Sequence, residues 1–297
     1  MLFRSQYSYF ILYFQRTVHT RLLHANQCIE ILAFQEKLQC LEAELKKKFN
    51  VIFEHIPHVK DLPDKVHVCI KLIDPNKSIK SRSYKCSRRY KSALAMLLQS
   101  QLDSGKLHPS NSPSASPAFI SPKKDLTAKP RWVNDYRQLN TNTVVDSHPL
   151  PHIDDILADC AKGKIWATIN MTDSFFQTKM CPDNIGLTVV SMPFGLYKWT
   201  VMPMGLRNAP TIHQRHVTAA LHEHIEKICH VYVDDIIIWS NTIEEHVTNV
   251  GKVMESLCTA RLYCNKKKTM LFANEINFWA TPSMPWVSML ISRKSSE

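Results

Sequence analysis

Residues 230–239 read His-Val-Tyr-Val-Asp-Asp-Ile-Ile-Ile-Trp. Two adjacent carboxylates, Asp234 and Asp235, lie between two apolar runs rich in β-branched residues. Such residues favour strands, so the pattern predicts a β-hairpin with the carboxylates at its tip. Carboxylates on a rigid support bind hard divalent cations such as Mg²⁺. An Asp-Asp pair also occurs in ordinary turns, but the apolar frame and Tyr232 two residues ahead favour a cation site.

The segments around the hairpin alternate between strand and helix patterns. Residues 164–171 form a short apolar run typical of a strand, and Pro210 lies near the start of a predicted helix over residues 210–228. Thr242 and Glu245 form a capping box that opens another amphipathic helix. The order strand, helix, hairpin, helix predicts an α+β domain with an antiparallel sheet.

The first half of the chain is less regular. Helices are predicted over residues 26–49 and 92–102, and the Ser/Pro-rich residues 109–122 favour a loop or a sheet edge. Residues 77–91 hold seven Lys and Arg side chains and no acidic one, which leaves solvated surface and nucleic-acid contact equally open. The candidate nucleic-acid contacts are Arg82, Lys85, Arg88 and Arg89.

Composition narrows the class of partner. The 297 residues include 37 Lys and Arg against 26 Asp and Glu, a net charge of +11 that indicates a polyanionic partner. Only 6 glycines are present, and neither GxGxxG nor GxxxxGK[ST] occurs, which excludes the usual glycine-rich phosphate loops.

The 9 cysteines are odd in number and form no CxxC pair, so we expect a reducing, intracellular compartment and no disulfide partner. The apolar run over residues 9–14 is far shorter than the ~20 residues of a membrane span, so we expect no membrane association.

Four further sequence segments carry recognisable motifs besides the hairpin. Residues 130–140 read Pro-Arg-Trp-Val-Asn-Asp-Tyr-Arg-Gln-Leu-Asn, and residues 147–151 read Ser-His-Pro-Leu-Pro. Residues 193–197 read Pro-Phe-Gly-Leu-Tyr, and residues 202–210 read Met-Pro-Met-Gly-Leu-Arg-Asn-Ala-Pro. With the YxDD-like residues 232–235, these blocks resemble, in order and spacing, the reverse transcriptase domain of gypsy-type LTR retrotransposons, with a variant similar to fungal elements.

The resemblance implies an α+β right-hand polymerase with fingers and palm and an antiparallel palm sheet, and we expect the thumb to be missing from this chain. It implies RNA-directed DNA synthesis, in which two Mg²⁺ ions assist transfer of a dNTP onto the 3′-hydroxyl of an RNA or DNA primer–template duplex. The expected segments are an N-terminal extension (1–50), fingers and the start of the palm (51–160), the palm with its hairpin (161–278) and an aberrant tail (279–297).

Specific residues follow from the same resemblance. It implies that Asp234 and Asp235 are catalytic metal ligands. For the incoming nucleotide it implies phosphate contacts from Lys123 and Arg131, backbone N–H contacts from Asp173 and Ser174, a steric gate at Phe175 and a pocket floor at Met204. The plain alternatives are surface charges for the two basic residues and core packing for Phe175 and Met204.

One position departs from the family pattern. The first palm strand holds Asn170 where the resemblance requires a catalytic Asp. A neutral amide oxygen cannot bridge two cations as a carboxylate does, and the missing charge predicts a rate loss of about 10³ or more. We therefore expect a weakened Mg²⁺ site and little or no polymerase activity. The alternatives are a nucleic-acid-binding remnant without catalysis and a degenerate reading frame without a selected role.

The family pattern also stops after Phe278. Inserting one nucleotide after its codon in a back-translation converts the tail into Leu-Gly-His-Pro-Ile and a further family-like continuation. The sequence therefore predicts a frameshift near Phe278 that has truncated a longer polyprotein.

Four histidines lie in the helix predicted over residues 210–228. His213 and His216 are three residues apart, and His222 and His224 follow. This spacing suits a zinc pair, but such residues more often form a solvated helix face, which is our expectation here.

Overall fold

The computed structural model describes residues 29–64, 66–79, 84–121, 130–273, 276–278 and 287–289. The chain divides into two compact units, Met1–Lys48 and Phe49–Glu297. In the first unit residues 29–48 form helix α1, stabilised by an ion pair of 2.6 Å between Lys46 and Glu42 one turn apart. The helix predicted over residues 26–49 is thus confirmed where the chain is described.

The second unit mixes helices with short strands. Its helices are α2 (Lys91–Asp103), α3 (Arg137–Thr141), α4 (Ile153–Cys160), α5 (Ala209–Ala220) and α6 (Ile243–Ala260). Its strands are β1 (His67–Val68), β2 (Leu107–Pro109), β3 (Ser116–Ser121), β4 (Arg131–Asn134), β5 (Ile165–Asn170), β6 (Lys179–Met180), β7 (Val190–Met192), β8 (Gly195–Trp199), β9 (Cys229–Tyr232), β10 (Asp235–Ser240), β11 (Met270–Ala273), β12 (Ile276–Phe278) and β13 (Val287–Met289). Across the described ranges, no helix is both long and apolar enough to cross a lipid bilayer.

A four-stranded antiparallel sheet forms around the predicted hairpin, in the order β11-β5-β10-β9. Strand β10 lies between β9 and β5, so its apolar run is covered on both edges. Ile237 and Trp239 pack with Trp166 of β5 and with α4, while Ile236 and Ile238 are fully buried on the opposite face. The predicted hairpin and antiparallel sheet are confirmed, and burial on both faces explains why the strand reads as a continuous apolar run.

The second sheet has five strands in the order β2-β8-β7-β3-β4. Here the prediction of a loop or edge over residues 109–122 is wrong in part, because β3 lies inside the sheet, parallel to β7 and antiparallel to β4. Pro117 fits because the strand uses its carbonyl, which accepts the Asp135 N–H at 2.8 Å. Pairing with distant strands therefore overrides the local loop signal.

Helix α5 is shorter than predicted. It ends at Ala220, and turns over residues 221–228 return the chain to β9. Glu226 adopts a positive φ of 66°, and its N–H donates to the Cys229 carbonyl at 3.0 Å. The apolar pattern alone cannot show this end, because the reversal is set by the pairing of β9 with β10.

The end of the chain contains one further pairing. Strands β12 and β13 pair antiparallel, with Asn277 opposite Ser288. The remaining residues of the predicted tail, 279–286 and 290–297, lie outside the described residues.

Helix α6 begins with the predicted capping box. Thr242 Oγ1 accepts the Glu245 N–H at 3.2 Å, and Glu245 Oε2 accepts the Asn241 N–H at 2.9 Å. Two N–H groups at the helix start are thereby satisfied, and Val250 and Met254 are buried on the expected apolar face.

We predict that Thr242→Ala lowers the free energy of unfolding by about 1 kcal/mol, since the N-cap acceptor is removed. Urea denaturation followed by circular dichroism measures the change. Thr242→Ser is the matched control, because it keeps the hydroxyl and should remain close to the wild type. Equal stability of the alanine variant and the wild type would contradict the capping role.

Candidate functional site

The carboxylates of the hairpin meet two side chains from the segment that starts with β5. The register places Asn170 opposite Asp235, and Asn170 Nδ2 donates to Asp235 Oδ1 at 2.6 Å. Ser174 begins a short 3-10 helix after β5, and its hydroxyl donates to Asp234 Oδ1. Four residues that the sequence analysis singled out, from segments about 60 positions apart, thus form one polar cluster.

The two carboxylates differ in environment. The side chain of Asp234 is 45% exposed at the turn, whereas Asp235 lies within β10 and is largely buried. Burial raises the pKa of Asp235, the neighbouring Asp234 acts in the same direction, and the hydrogen bond from Asn170 opposes both. The Asn170 amide must turn its N–H group toward Asp235, since a carboxylate only accepts.

A glutamine of α5 holds the hairpin tip. Val233 has a φ of 51°, a strained conformation for a β-branched residue. Gln214 is buried, its Nε2 donates to the Val231 carbonyl at 2.8 Å, and its Oε1 accepts the Val233 N–H at 2.8 Å. Sequence reasoning missed Gln214, because a polar residue in an amphipathic helix carries no signal that it faces inward.

His213, one residue earlier, is completely buried. Its Nε2 lies 3.9 Å from Asp234 Oδ1, and its ring meets Phe175 edge-on with centroids 5.6 Å apart. Within the described residues neither ring nitrogen makes a hydrogen bond of normal geometry. Burial, together with the nearby His216, lowers the pKa of His213 to about 4, although the Val233 backbone acts in the opposite direction.

The expectation of a solvated histidine face is therefore wrong for His213. His216 is partly buried too, and its Nδ1 lies 3.3 Å from Thr178 Oγ1, whereas His222 is exposed as expected. The reason is the placement of α5, whose His213 side packs beneath the hairpin.

The remaining nucleotide-site candidates are placed as follows. Arg131 is exposed at the start of β4, and Met204 is 40% exposed in the loop before α5. This loop packs on the end of β4, since Asn134 Nδ2 donates to the Met204 carbonyl at 3.2 Å. Gly205 is required there, because its φ is +100° and a Cβ would lie 2.9 Å from the Asn134 carbonyl oxygen.

Of the two other candidates, Asp173 lies in the described part of the chain and Lys123 does not. Asp173 is exposed and adopts a left-handed φ of 40° at the start of the Ser174–Gln177 helix. Lys123 lies outside the described residues.

The basic segment borders a cleft of ≈ 630 Å³. Lys85 and Tyr84 line this cleft together with Gly205, and the Tyr84 hydroxyl donates to Asp135 Oδ2 at 2.9 Å. Hydrogen bonds from the Arg137 guanidinium lower the pKa of Asp135 to about 2. Of the other predicted contacts, Arg88 and Arg89 are exposed, and Arg82 lies outside the described residues.

The donor set suits a cation only in part. Among the residues that the structure describes, no group of three or more His, Cys, Asp or Glu side chains is arranged to hold a metal ion. Asp234 and Asp235 supply the oxygens that Mg²⁺ prefers, whereas Asn170 presents N–H groups. The imidazole of His213 lies beside Asp234, with Nε2 3.9 Å from Oδ1, but it is fully buried.

Comparison with known proteins assigns the family. The family described as "Reverse transcriptase (RNA-dependent DNA polymerase)" matches residues 121–281. This match covers more than half of the chain, so the chain belongs to the reverse transcriptase family. It is 32% identical over 246 residues to the enzymatic polyprotein of cauliflower mosaic virus (strain Strasbourg), covering 82% of this chain and 36% of that protein.

Other relatives agree. The Pol polyprotein from the Drosophila melanogaster transposon opus is 36% identical over 206 residues, which cover 67% of this chain and 20% of that protein. The chain thus spans about a third or less of these curated relatives. The fold is similar to the foamy viral protease-reverse transcriptase solved in complex with ds DNA, with a TM-score of 0.71, 24% identity, and coverage of 80% of this chain and 41% of that one.

We predict that His213 makes the fold sensitive to mild acid. Its pKa is lowered when folded, so the unfolded chain binds the proton more tightly, and stability is lost as the pH falls from about 6.5 toward 4. At ~1.4 kcal/mol per pKa unit, the loss is on the order of 3 kcal/mol.

His213→Phe should remove most of this loss, since a similar ring fills the site without a proton-binding group. Urea denaturation at pH 7 and pH 4.5 measures it, with the exposed His222→Phe as the control that keeps the wild-type pH dependence. An unchanged pH dependence in His213→Phe would assign the effect elsewhere.

Proposed function

We propose that residues 161–278 form the palm and residues 51–160 the fingers and the start of the palm of a reverse transcriptase domain. We further propose that it binds a primer–template duplex and has lost most of its nucleotidyl transfer activity. The antiparallel sheet with carboxylates at a hairpin tip supports the palm assignment. The finer placement among gypsy-type elements of fungal character stays a prediction from the motifs.

A duplex partner is supported by two independent features. The structurally similar foamy viral protease-reverse transcriptases were solved in complex with ds DNA and with an RNA/DNA hybrid. The net charge of +11 suits a phosphate backbone, which is recognised by charge and duplex shape rather than by sequence.

The single observation that carries the loss of activity is the hydrogen bond from Asn170 to Asp235. Asp234 and Asp235 would hold Mg²⁺, and a bound cation would supply charge stabilisation to the phosphoryl group. Asn170 faces the same point with N–H groups and without negative charge. The cluster therefore has two of the three negative charges that a pair of cations would need.

The neighbouring residues retain roles toward a nucleotide. Arg131 and Lys123 would contact the triphosphate, and the backbone N–H groups of Asp173 and Ser174 would bind its oxygens. Phe175 would lie under the sugar as a steric gate, held by its edge contact with His213. Met204 would form the pocket floor, since its carbonyl is fixed to β4 and its side chain stays partly exposed.

Primer extension tests this proposal. We expect the wild type to extend a labelled DNA primer on an RNA template barely above background, and Asn170→Asp to raise the rate by about 10³, since one carboxylate is restored. Asn170→Ala is the control that changes the side chain without adding charge. Robust synthesis by the wild type would overturn the proposed loss, and no gain in Asn170→Asp would show that other defects dominate.

Duplex binding is tested separately from catalysis. We predict that log Kd for an RNA/DNA duplex rises linearly with log salt, and that Arg88→Ala lowers this slope by about 1 if its guanidinium contacts a phosphate. Lys37→Ala in α1 removes the same charge and is expected to leave the slope unchanged. Fluorescence anisotropy at several salt concentrations gives both values, and an absence of salt-dependent binding would contradict the proposed function.

A further inference from the structure

Two cysteines that have no role in the proposed function lie side by side in the fold. Strand β1 runs parallel to β6 with Val68 opposite Met180, and Cys69 and Cys181 are the residues that follow directly. The Cys181 N–H donates to the Val68 carbonyl at 2.9 Å, so the parallel pairing continues past the ends of both strands. The register therefore sets Cys69 opposite Cys181.

Both thiols lie on the outer side of this pair of strands. Val68 and Met180 are buried, and successive side chains of a strand point to opposite faces, so the next residue of each strand turns away from the core. In agreement with this pattern, Cys69 is exposed and Cys181 is half-buried, and both thiols are free. The two sulfur atoms are thus on the same face and within reach of a reagent in solution.

The backbone around Cys69 is held on both sides. Before it, the Val68 carbonyl accepts the Cys181 N–H, and after it the Ile70 N–H donates to Asn184 Oδ1 at 2.9 Å. Neighbouring strands lie about 4.7–4.9 Å apart. This spacing falls within the Cα separation of about 4.4–6.8 Å that a disulfide bond spans, so the two residues can be joined without a large backbone movement.

Cys69 is the thiol that a reagent meets first. It lines a cavity of ≈ 600 Å³ together with Lys71, Arg215 and one carboxylate, Asp146, which is already bound to Arg215 at 2.6 Å. The positive charge of Lys71 remains available for an anion. Glutathione disulfide carries several carboxylates, so its charge suits this opening.

The acidity of Cys69 sets the conditions of reaction. Partial burial raises the pKa of its thiol, the hydrogen bond and charge of Cys181 act in the same direction, and Lys71 opposes them. Thiol–disulfide exchange requires the thiolate, so the exchange is faster in mildly alkaline buffer.

We propose that Cys69 and Cys181 form an oxidisable dithiol, which a small disulfide of the glutathione class converts into a disulfide bond between the chain after β1 and the chain after β6. Cys69 is the attacking thiol and Cys181 the resolving one. The inference stands apart from the proposed function, because no nucleic acid, metal or nucleotide takes part in it.

The exchange proceeds in two steps. The Cys69 thiolate attacks one sulfur of glutathione disulfide, a mixed disulfide forms, and the first glutathione leaves as a thiolate. The Cys181 thiolate then attacks Cys69 Sγ, and the second glutathione leaves. Two protein thiols are oxidised, one glutathione disulfide is reduced to two glutathione thiols, and these take up the two protons that the protein thiols release.

Peptide mapping of the full chain tests the proposal. The reduced protein is incubated with glutathione disulfide at mildly alkaline pH, alkylated and digested without reductant, and the linked peptides are identified by mass spectrometry. We expect a peptide that joins Cys69 to Cys181 within one chain, and its loss after treatment with dithiothreitol. The link should form more slowly in concentrated urea, because the folded register no longer brings the two thiols together.

Serine variants separate the two steps. Cys181→Ser should retain glutathione on Cys69, since the resolving thiol is absent. Cys40→Ser removes an exposed thiol of α1 and is the matched control that should form the link as the wild type does.

Three outcomes would overturn the proposal, and the wild-type protein alone can give each of them. Cys69 may carry glutathione without any link to Cys181, the link may form only in urea, or Cys69 may join two chains or a different cysteine. None of these outcomes bears on duplex binding or primer extension, which decide the proposed function separately.

Discussion

The antiparallel pairing of β5 with β10 is the constraint on which the site depends. It sets Asn170 opposite Asp235 and, through the short helix that follows β5, delivers the Ser174 hydroxyl to Asp234. A slip of one residue would turn every side chain of β10 to the other face and bury the wrong set. The apolar run of β10, buried on both faces, therefore fixes the geometry of the polar cluster at its end.

Helix α5 packs against the hairpin and is the second element that positions the site. Gln214 replaces the backbone hydrogen bonds that the strained Val233 turn cannot make, while His213 fills the space between Asp234 and Phe175. A rigid tip matters for any chemistry there, because a displacement of about 1 Å of a reacting group lowers rates steeply. The carboxylate pattern of the sequence thus identifies the hairpin residues of the site but not the residues that α5 contributes.

The hairpin, the capping box at Thr242 and the meeting of Asn170 with the carboxylates were predictable, because each rests on local pattern or on a motif read in order. The interior position of β3 was not, since its partners are distant in sequence and its Ser/Pro content signals a loop. The burial of His213 could not be predicted from the sequence for a related reason. Helical spacing shows which residues share a face but not which polar face packs against another element.

The amide of Asn170 also changes the electrostatics of the cluster. Three carboxylates close together repel one another unless a cation lies between them, and the pKa of Asp235 is already raised by burial and by Asp234. An amide in the third position donates a hydrogen bond to Asp235 instead of adding a third negative charge. The register of β5 against β10 therefore brings a donor, rather than another acceptor, to the point where the two carboxylates lie close together.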